Sequence, residues 1–113
     1  MWRCRTQVAV PEEVRRVADL LERRYAVSII YASHQGCTRF GEFRQALGEI
    51  PPGTLTQRLV ELERAGVLRR EVRDERPPRV EYVLTPEGAR LRALVEALSA
   101  WAGAPQGTRV LDR

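Results

Sequence analysis

At 113 residues the chain has the size of one domain, with room for a modest core. Hydrophobic residues make up 43% of it and charged residues 30%, a balance typical of a folded protein that excludes a disordered tail. No run approaches the ~20 apolar residues of a membrane span, and the basic start MWRCRTQVAV lacks the apolar stretch of a signal peptide. We therefore expect a soluble cytoplasmic protein of one domain, residues 1–113, with an N-terminal arm over 1–10 and a C-terminal tail over 103–113.

The charge of the chain favours an anionic partner. The net charge is +4 and the isoelectric point is near 9.8. All 19 cationic residues are arginine, which a composition bias of the genome could also produce. The positions of the arginines must therefore decide whether this charge is functional.

Cysteine and histidine offer little for metal or acid-base chemistry. Cys4 and Cys37 are far apart and have no metal-ligand neighbours, so we expect neither a disulfide framework nor a metal site. Arg3 and Arg5 would favour the thiolate of Cys4, which leaves a role as oxidant sensor open beside that of an inert terminal thiol. His34 has no acid and nucleophile at a recognisable spacing, and neither a phosphate loop nor a carboxylate pair is found. The sequence predicts no enzyme and no cofactor.

The first half of the chain predicts three helices. Pro11 suits a first helical turn, and apolar residues then recur at helical spacing through Tyr25. The segment AVSIIYAS is apolar enough to form a buried central helix that stops near Gly36. A short third helix over 40–47 is followed by a turn rich in glycine and proline.

The second half predicts a helix, a ribbon and a last helix. The fourth helix starts at Pro52, carries a leucine stripe and ends at Gly66. Residues 69–84 have the branched and aromatic side chains of two strands on either side of the charged stretch RDERPPR. Thr85, followed by proline, predicts the start of a last helix that continues through Trp101.

Two helices joined by a tight turn and followed by a ribbon are typical of a DNA-binding winged helix-turn-helix. In a helix-turn-helix the second helix enters the major groove, so the outward side of the fourth helix should face base edges. Gln57 can read adenine through two hydrogen bonds, and Arg58 can reach guanine or phosphate. The hydroxyls of Thr54 and Thr56 suit phosphate oxygens.

The charged tip of the ribbon is consistent with a wing that contacts the sugar-phosphate backbone or the minor groove. Three arginines supply charge and two prolines stiffen the loop: Arg73, Arg76, Arg79, Pro77 and Pro78. Asp74 and Glu75 oppose phosphate contact unless they pair with neighbouring arginines or turn away. A solvated hairpin whose prolines block edge pairing is the alternative, but the preceding helix pair favours the wing.

Three stretches resemble the HxlR-type winged helix-turn-helix regulators, a family related to the MarR proteins: RFGEFRQAL (39–47), TLTQRLVELERAGVLRREV (54–72) and PPRVEYVLTPEG (77–88). The resemblance covers about residues 14–102. It implies a mainly α fold with a small β-wing, and a transcription factor that binds double-stranded DNA as a homodimer. The first and last helices would join the two chains, with residues 54–63 as recognition helix and 69–84 as wing.

The resemblance also implies site residues. By position, the DNA-contacting pattern of the family falls on Thr54, Thr56, Gln57, Arg58 and Arg79, and we add as candidates Arg39 of the first stretch and the wing-tip residues Arg73 and Arg76. The chain departs from the family at Gly53, which replaces an arginine, and at Val60, which replaces a lysine. The sensing cysteine of many members aligns with Glu12, and Cys4 lies upstream of it.

We therefore expect a homodimeric repressor that recognises an inverted repeat with half-sites about one helical turn, ~34 Å, apart. The identity of any inducer is left open. The alternative is a winged protein-interaction module without sequence-specific DNA binding, which Val60 on the reading side and the acidic residues at the wing tip favour.

Overall fold

The computed structural model describes residues 8–104. In chain order the elements are α1 Glu12–Leu21, α2 Ala26–His34, α3 Phe40–Leu47, α4 Pro52–Arg64, β1 Leu68–Arg73, β2 Arg79–Leu84, α5 Pro86–Ala89 and α6 Arg92–Ala102. The expected mainly α class with a small two-stranded wing is confirmed. The division into arm, domain and tail stays a prediction, because most of the arm and the tail, and Cys4 with them, lie outside the described residues.

The central helix is α2, whose sequence is apolar on most sides. It packs against α1, α3, α4, β2 and α6. Its buried side chains meet those of the following elements in one core: Ile29, Ile30, Ala32, Phe43, Ile50, Leu55, Leu59, Leu62, Val67, Leu68 and Val95. Each fully buried large aliphatic side chain contributes about 1.5–3 kcal/mol relative to an exposed one. The core thus fixes α3 and α4 against α2.

A tight turn separates α3 from α4. Gly48 has φ 80° and ψ −120°, a conformation that favours glycine because a Cβ would be strained there. Ile50 is buried in the core and anchors the turn. Pro52 occupies the first turn of α4, where its fixed φ suits the helix and its missing N–H has no partner to lose. As a result, the N-terminus of α4 lies at the surface, where Pro51, Pro52 and Gly53 are exposed.

The wing is an antiparallel pair in which Leu68 lies opposite Leu84 and Arg73 lies opposite Arg79. Leu68 is buried and Leu84 packs against the core, so the hydrophobic end of the ribbon is its base. Tyr82 N donates a 2.7 Å hydrogen bond to the carbonyl of Thr38, just before α3. The base of the wing is therefore tied to the helix pair, and the charged tip extends away from the core.

Two helix boundaries differ from the sequence expectation. The first helix ends at Leu21, and Tyr25 instead precedes α2 with a positive φ of 75°. The last helix breaks after Ala89, because Gly88 packs directly against the carbonyl of Val67 and leaves no space for a Cβ. Apolar spacing alone could not show either contact. None of the described helices is long and apolar enough to cross a membrane.

Candidate nucleic-acid interface

The outward side of α4 is exposed as the helical spacing predicts. Leu55, Leu59 and Leu62 are buried, whereas Thr56 and Gln57 are exposed and Thr54 is half-buried. Val60 is half-buried as well, at the edge of this surface. Thr56 and Gln57 are therefore accessible to a partner as large as a DNA duplex. We call the exposed surface of Gly53, Thr56 and Gln57 the reading face.

The N-terminus of α4 offers backbone donors beside the reading face. Pro51 stands at the cap position and no side chain caps the helix end. The first N–H groups of a helix have no intrahelical acceptor, and the helix dipole favours an anion there. Pro52 lacks an N–H, so Gly53 and Thr54 supply the first free donors, a geometry suited to a phosphate oxygen.

Arg58 does not face outward with the reading face. Its side chain is 12% exposed, its Nε donates a 2.9 Å hydrogen bond to the carbonyl of Arg24, and it lies 3.5 Å from the carboxylate of Glu61. Glu61 in turn pairs with Arg23 at 2.9 Å. Without DNA, Arg58 thus holds α4 to the connection between α1 and α2, because its position beside the leucine stripe directs it inward, and its contact with DNA stays a prediction.

One face of the wing carries several arginines and glutamates of the two strands. Opposite pairs in the strand register lie on the same face, and here they are like-charged: Glu71 opposite Glu81, and Arg73 opposite Arg79. Like charges directly opposite destabilise a ribbon unless other partners compensate. Two ion pairs compensate here, since Arg73 reaches Glu81 diagonally across the strands at 2.9 Å and Glu71 along its own strand at 3.1 Å.

These ion pairs belong to a network of six charged residues. It comprises three arginines and three glutamates: Arg69, Glu71, Arg73, Glu75, Arg79 and Glu81. We call it the wing ladder. Arg79 approaches Glu75 and Glu81 at 3.2 Å each, although its Nε is buried without a well-directed hydrogen bond. The hydrogen bond to Glu81 raises the pKa of Arg73 above its ordinary value. The formal charges of the ladder sum to zero.

Arg76 stands apart from the wing ladder. It is exposed at the tip, and within residues 8–104 it has no ion pair. Arg39 is also exposed without an ion pair in that range, and a β-bridge to Glu81 places its backbone beside the wing. Of the arginines predicted to bind DNA, these two form no ion pair within residues 8–104.

The geometry resembles that of known regulators, and residues 20–108 match the model of a family described as HxlR-like helix-turn-helix. The chain belongs to this family. The uncharacterized HTH-type transcriptional regulator YvaP of Bacillus subtilis is 37% identical over 87 residues, which cover 77% of this chain and 81% of YvaP.

Solved structures agree with this assignment. The reduced form of the transcriptional regulator YodB from B. subtilis has a TM-score of 0.73 and 32% identity, covering 83% of this chain and 92% of the YodB chain. The oxidised form of the redox regulator HypR has a TM-score of 0.75 and 32% identity, covering 85% and 99% of the two chains. The HxlR-like protein is a transcriptional regulator with a helix-turn-helix DNA-binding fold, and none of these three relatives is named as an enzyme.

Two further arginines of the HxlR-like protein escaped the sequence reasoning. Arg44 on α3 and Arg70 on β1 are exposed and have no ion pair in the described part of the chain. The sequence could have indicated that Arg44 has no ion pair within its helix. The positions three and four residues away on either side hold no carboxylate. Arg70 lies opposite Tyr82, on the other face of the ribbon from the wing ladder. Both are candidates for phosphate contact.

The start of α3 in the HxlR-like protein is held by a carboxylate cap. Glu42 Oε1 accepts hydrogen bonds from the backbone N–H groups of Thr38 at 2.9 Å and Arg39 at 3.1 Å. These bonds lower the pKa of Glu42.

Burial and the nearby Glu42 raise the pKa of Cys37, which favours its protonated thiol. A protonated thiol is the less reactive form of cysteine, and sensing roles for Cys37 and Cys4 stay untested. Residues 8–104 contain no cluster of metal-ligating side chains.

Proposed function

We propose that this HxlR-like protein is a homodimeric repressor that binds an inverted-repeat operator, with α4 in the major groove and the wing on the adjacent backbone. The observation that carries the proposal is the exposure of the reading face on a helix whose opposite side is locked into the core. A helix presented in this way fits a major groove. The wing, tied to α3 through Thr38, keeps a fixed position beside it.

Contacts to bases and to phosphates are assigned to different residues. Gln57 reads a base edge, and the small Gly53 lets the backbone of α4 approach closely. The hydroxyl groups of Thr54 and Thr56 position the helix on phosphates. The uncompensated charge of Arg76 and Arg39 makes them the leading cationic contacts, ahead of the laddered Arg73 and Arg79.

The dimer is supported by an apolar surface that the single chain leaves uncovered. No residue of α1 is buried, although the helix is amphipathic, and Val14 and Val17 are 52% and 47% exposed. On α6, Leu98 is 40% and Trp101 is 92% exposed. Apolar residues exposed together on terminal helices mark an association surface, and a two-fold axis would bring two copies of the same surface together.

A salt titration on operator fragments tests the proposal. The fragments come from selection of genomic DNA on the purified protein. Log K should fall with log salt with a slope of about −0.9 per neutralised phosphate. Gln57→Ala should relax the preference for operator over scrambled fragments, whereas Gln45→Ala on the exposed side of α3 should leave that preference unchanged. A flat salt response, or equal preference in wild type and Gln57→Ala, would contradict the proposal.

A protein-interaction module is the second candidate, and the wing ladder favours it. A ladder with no net charge presents less attraction to phosphate than three free arginines would, and the apolar Val60 borders the reading face. This candidate predicts no binding to any genomic fragment at low salt, together with a stable complex with one defined protein partner. Binding to DNA that disappears in Gln57→Ala would exclude it.

A further inference from the structure

A cleft lies between α2 and α3, away from the residues assigned to DNA. It has a volume of about 400 Å³, within the range of small-molecule sites. Its walls include two aromatic, two apolar and two weakly polar side chains: Tyr25, Tyr31, Ala46, Leu47, Ser28 and Cys37. We call it the α2–α3 cleft.

The lining of the α2–α3 cleft combines aromatic surface with unused hydrogen-bonding groups. The hydroxyls of Tyr25, Tyr31 and Ser28 make no hydrogen bond to any group of residues 8–104. The thiol of Cys37 is directed to the carbonyl of Glu42, 3.8 Å away, and is neutral. The cleft therefore offers flat apolar walls with hydrogen-bonding groups at their edges.

The lining contains no ionised side chain. A charged ligand would lose its hydration without gaining an ion partner, which is unfavourable by several kcal/mol. An uncharged ligand escapes this cost and gains from contact with the tyrosine rings. The chemistry of the walls thus selects for a neutral, planar molecule.

Tyr25 is fixed at the cleft by an unusual backbone. With φ 75° it is the only non-glycine residue of positive φ within residues 8–104. An L-residue in this region costs roughly 1–2 kcal/mol, and such strain is concentrated at ligand-binding and active sites. The guanidinium of Arg24 lies over the ring, 4.9 Å from its centroid, and restrains the side chain as well. The strained conformation presents the ring to the cleft.

We propose that the α2–α3 cleft binds an uncharged, planar small molecule with an apolar body and at least one hydrogen-bonding group. Ala46 and Leu47 form the α3 wall, immediately before the Gly48 turn that leads to α4. A ligand in the cleft therefore contacts the helix whose position determines that of the reading face. This link to DNA rests on the proposed function, but binding of the ligand does not.

The neutral fluorophore N-phenyl-1-naphthylamine is a suitable probe, used with the full chain and no DNA. We expect saturable fluorescence enhancement. Ala46→Phe and Ser28→Phe each place a phenyl group in the cleft from an exposed position, and each should weaken probe affinity by roughly tenfold or more. Gln45→Phe is the matched control, since Gln45 is exposed on α3 but does not line the cleft, and it should bind the probe like the wild type.

A second readout locates the probe. In a Cys4→Ser background, Cys37 is the remaining thiol, and its thiolate displaces iodide from iodoacetamide. Saturating probe should slow this alkylation several-fold. No saturable binding, equal binding by the filled variants, or binding without protection of Cys37 would each overturn the proposal. Because no DNA is present, these results are independent of whether the reading face binds an operator.

Discussion

Arg76 is the wing arginine whose charge is free to neutralise a phosphate. Arg73 and Arg79 belong to the wing ladder, whereas Arg76 has no ion pair within residues 8–104. Arg76→Ala should weaken binding to all DNA sequences similarly and reduce the salt slope by about 0.9, which fluorescence anisotropy at several salt concentrations would measure. Arg79→Ala is the control and should have the smaller effect. A larger loss in Arg79→Ala would show that the ladder opens on DNA.

Gly53 combines a helical position with a surface that the proposed function brings close to DNA. A Cβ there meets nothing within 4 Å in the free protein. Gly53→Ala should therefore stabilise the fold by up to about 1 kcal/mol in urea unfolding, because alanine favours the helix, and yet weaken operator binding. Gly41→Ala on α3, also open to solvent, should stabilise without the second effect. Unchanged affinity in Gly53→Ala would place the helix end away from the DNA.

Sequence reasoning at this scale predicts the exposure of the reading face but not the intramolecular partners of the arginines. The exposure of Thr56 and Gln57 follows from about 100° of rotation per residue, measured from the leucine stripe. Arg58 lies close to that stripe, and the direction of its guanidinium depends on the carbonyl of Arg24, 34 positions earlier in the chain. No local pattern contains that partner. The same holds for Arg79, whose neighbours depend on the strand register.

At the scale of elements, the wing ladder limits the positive charge that the wing presents. Glu81 is central to it, because it contacts both Arg73 and Arg79. Glu81→Gln should raise DNA affinity and steepen the salt dependence, and it should lower the free energy of unfolding, because the carboxylate is largely buried and separates the opposed Arg73 and Arg79. Glu87→Gln adds the same charge on α5, where Glu87 pairs with Arg90, and serves as control. Equal gains in both variants would mean that net charge alone matters.

Thr85 joins the wing to the last helices. Its Oγ1 accepts a 2.8 Å hydrogen bond from Gly88 N at the start of α5 and donates to the carbonyl of Gly66. Thr85→Ala removes both bonds and should lower the free energy of unfolding by about 1–2 kcal/mol. Thr85→Ser keeps the hydroxyl and should retain most of that stability. Equal losses in both variants, measured by urea unfolding, would assign the effect to the lost methyl group instead.

Element boundaries were predictable where the chain carries its own signals. Pro52 and Gly66 bracket α4, and Thr85 with its proline marks the start of α5, as the structure confirms. The break between α5 and α6 had no such signal, because the apolar spacing begins only at Leu91, after the break. A contact far along the chain accompanies it, since Gly88 packs against the carbonyl of Val67 in the turn between α4 and β1. Local signals define where helices start, and tertiary packing decides where this one bends.

At the scale of the molecule, the central elements bury their apolar side chains in one core, whereas α1 leaves apolar side chains exposed. The core joins α2, α3, α4, β1 and α6, so that α4 with the reading face and β1 of the wing are both fixed to it. Helix α1 contributes no fully buried residue. A single chain therefore explains the DNA-binding unit, while the amphipathic α1 requires a second surface to cover it. In the proposed homodimer, a second copy would supply both that cover and the second reading face for an inverted repeat.

A substitution at Val17 tests whether α1 forms the proposed dimer interface. Val17→Asp would place an unpaired carboxylate in the proposed interface, so we expect monomers by sedimentation velocity and weaker binding to the operator, with the helical circular dichroism retained. Val72→Asp is the matched control: Val72 is an exposed valine on the wing, and an acid there should weaken DNA binding while the dimer mass persists. The two variants thus separate assembly from DNA contact. A Val17→Asp protein that remains dimeric would move the interface away from α1.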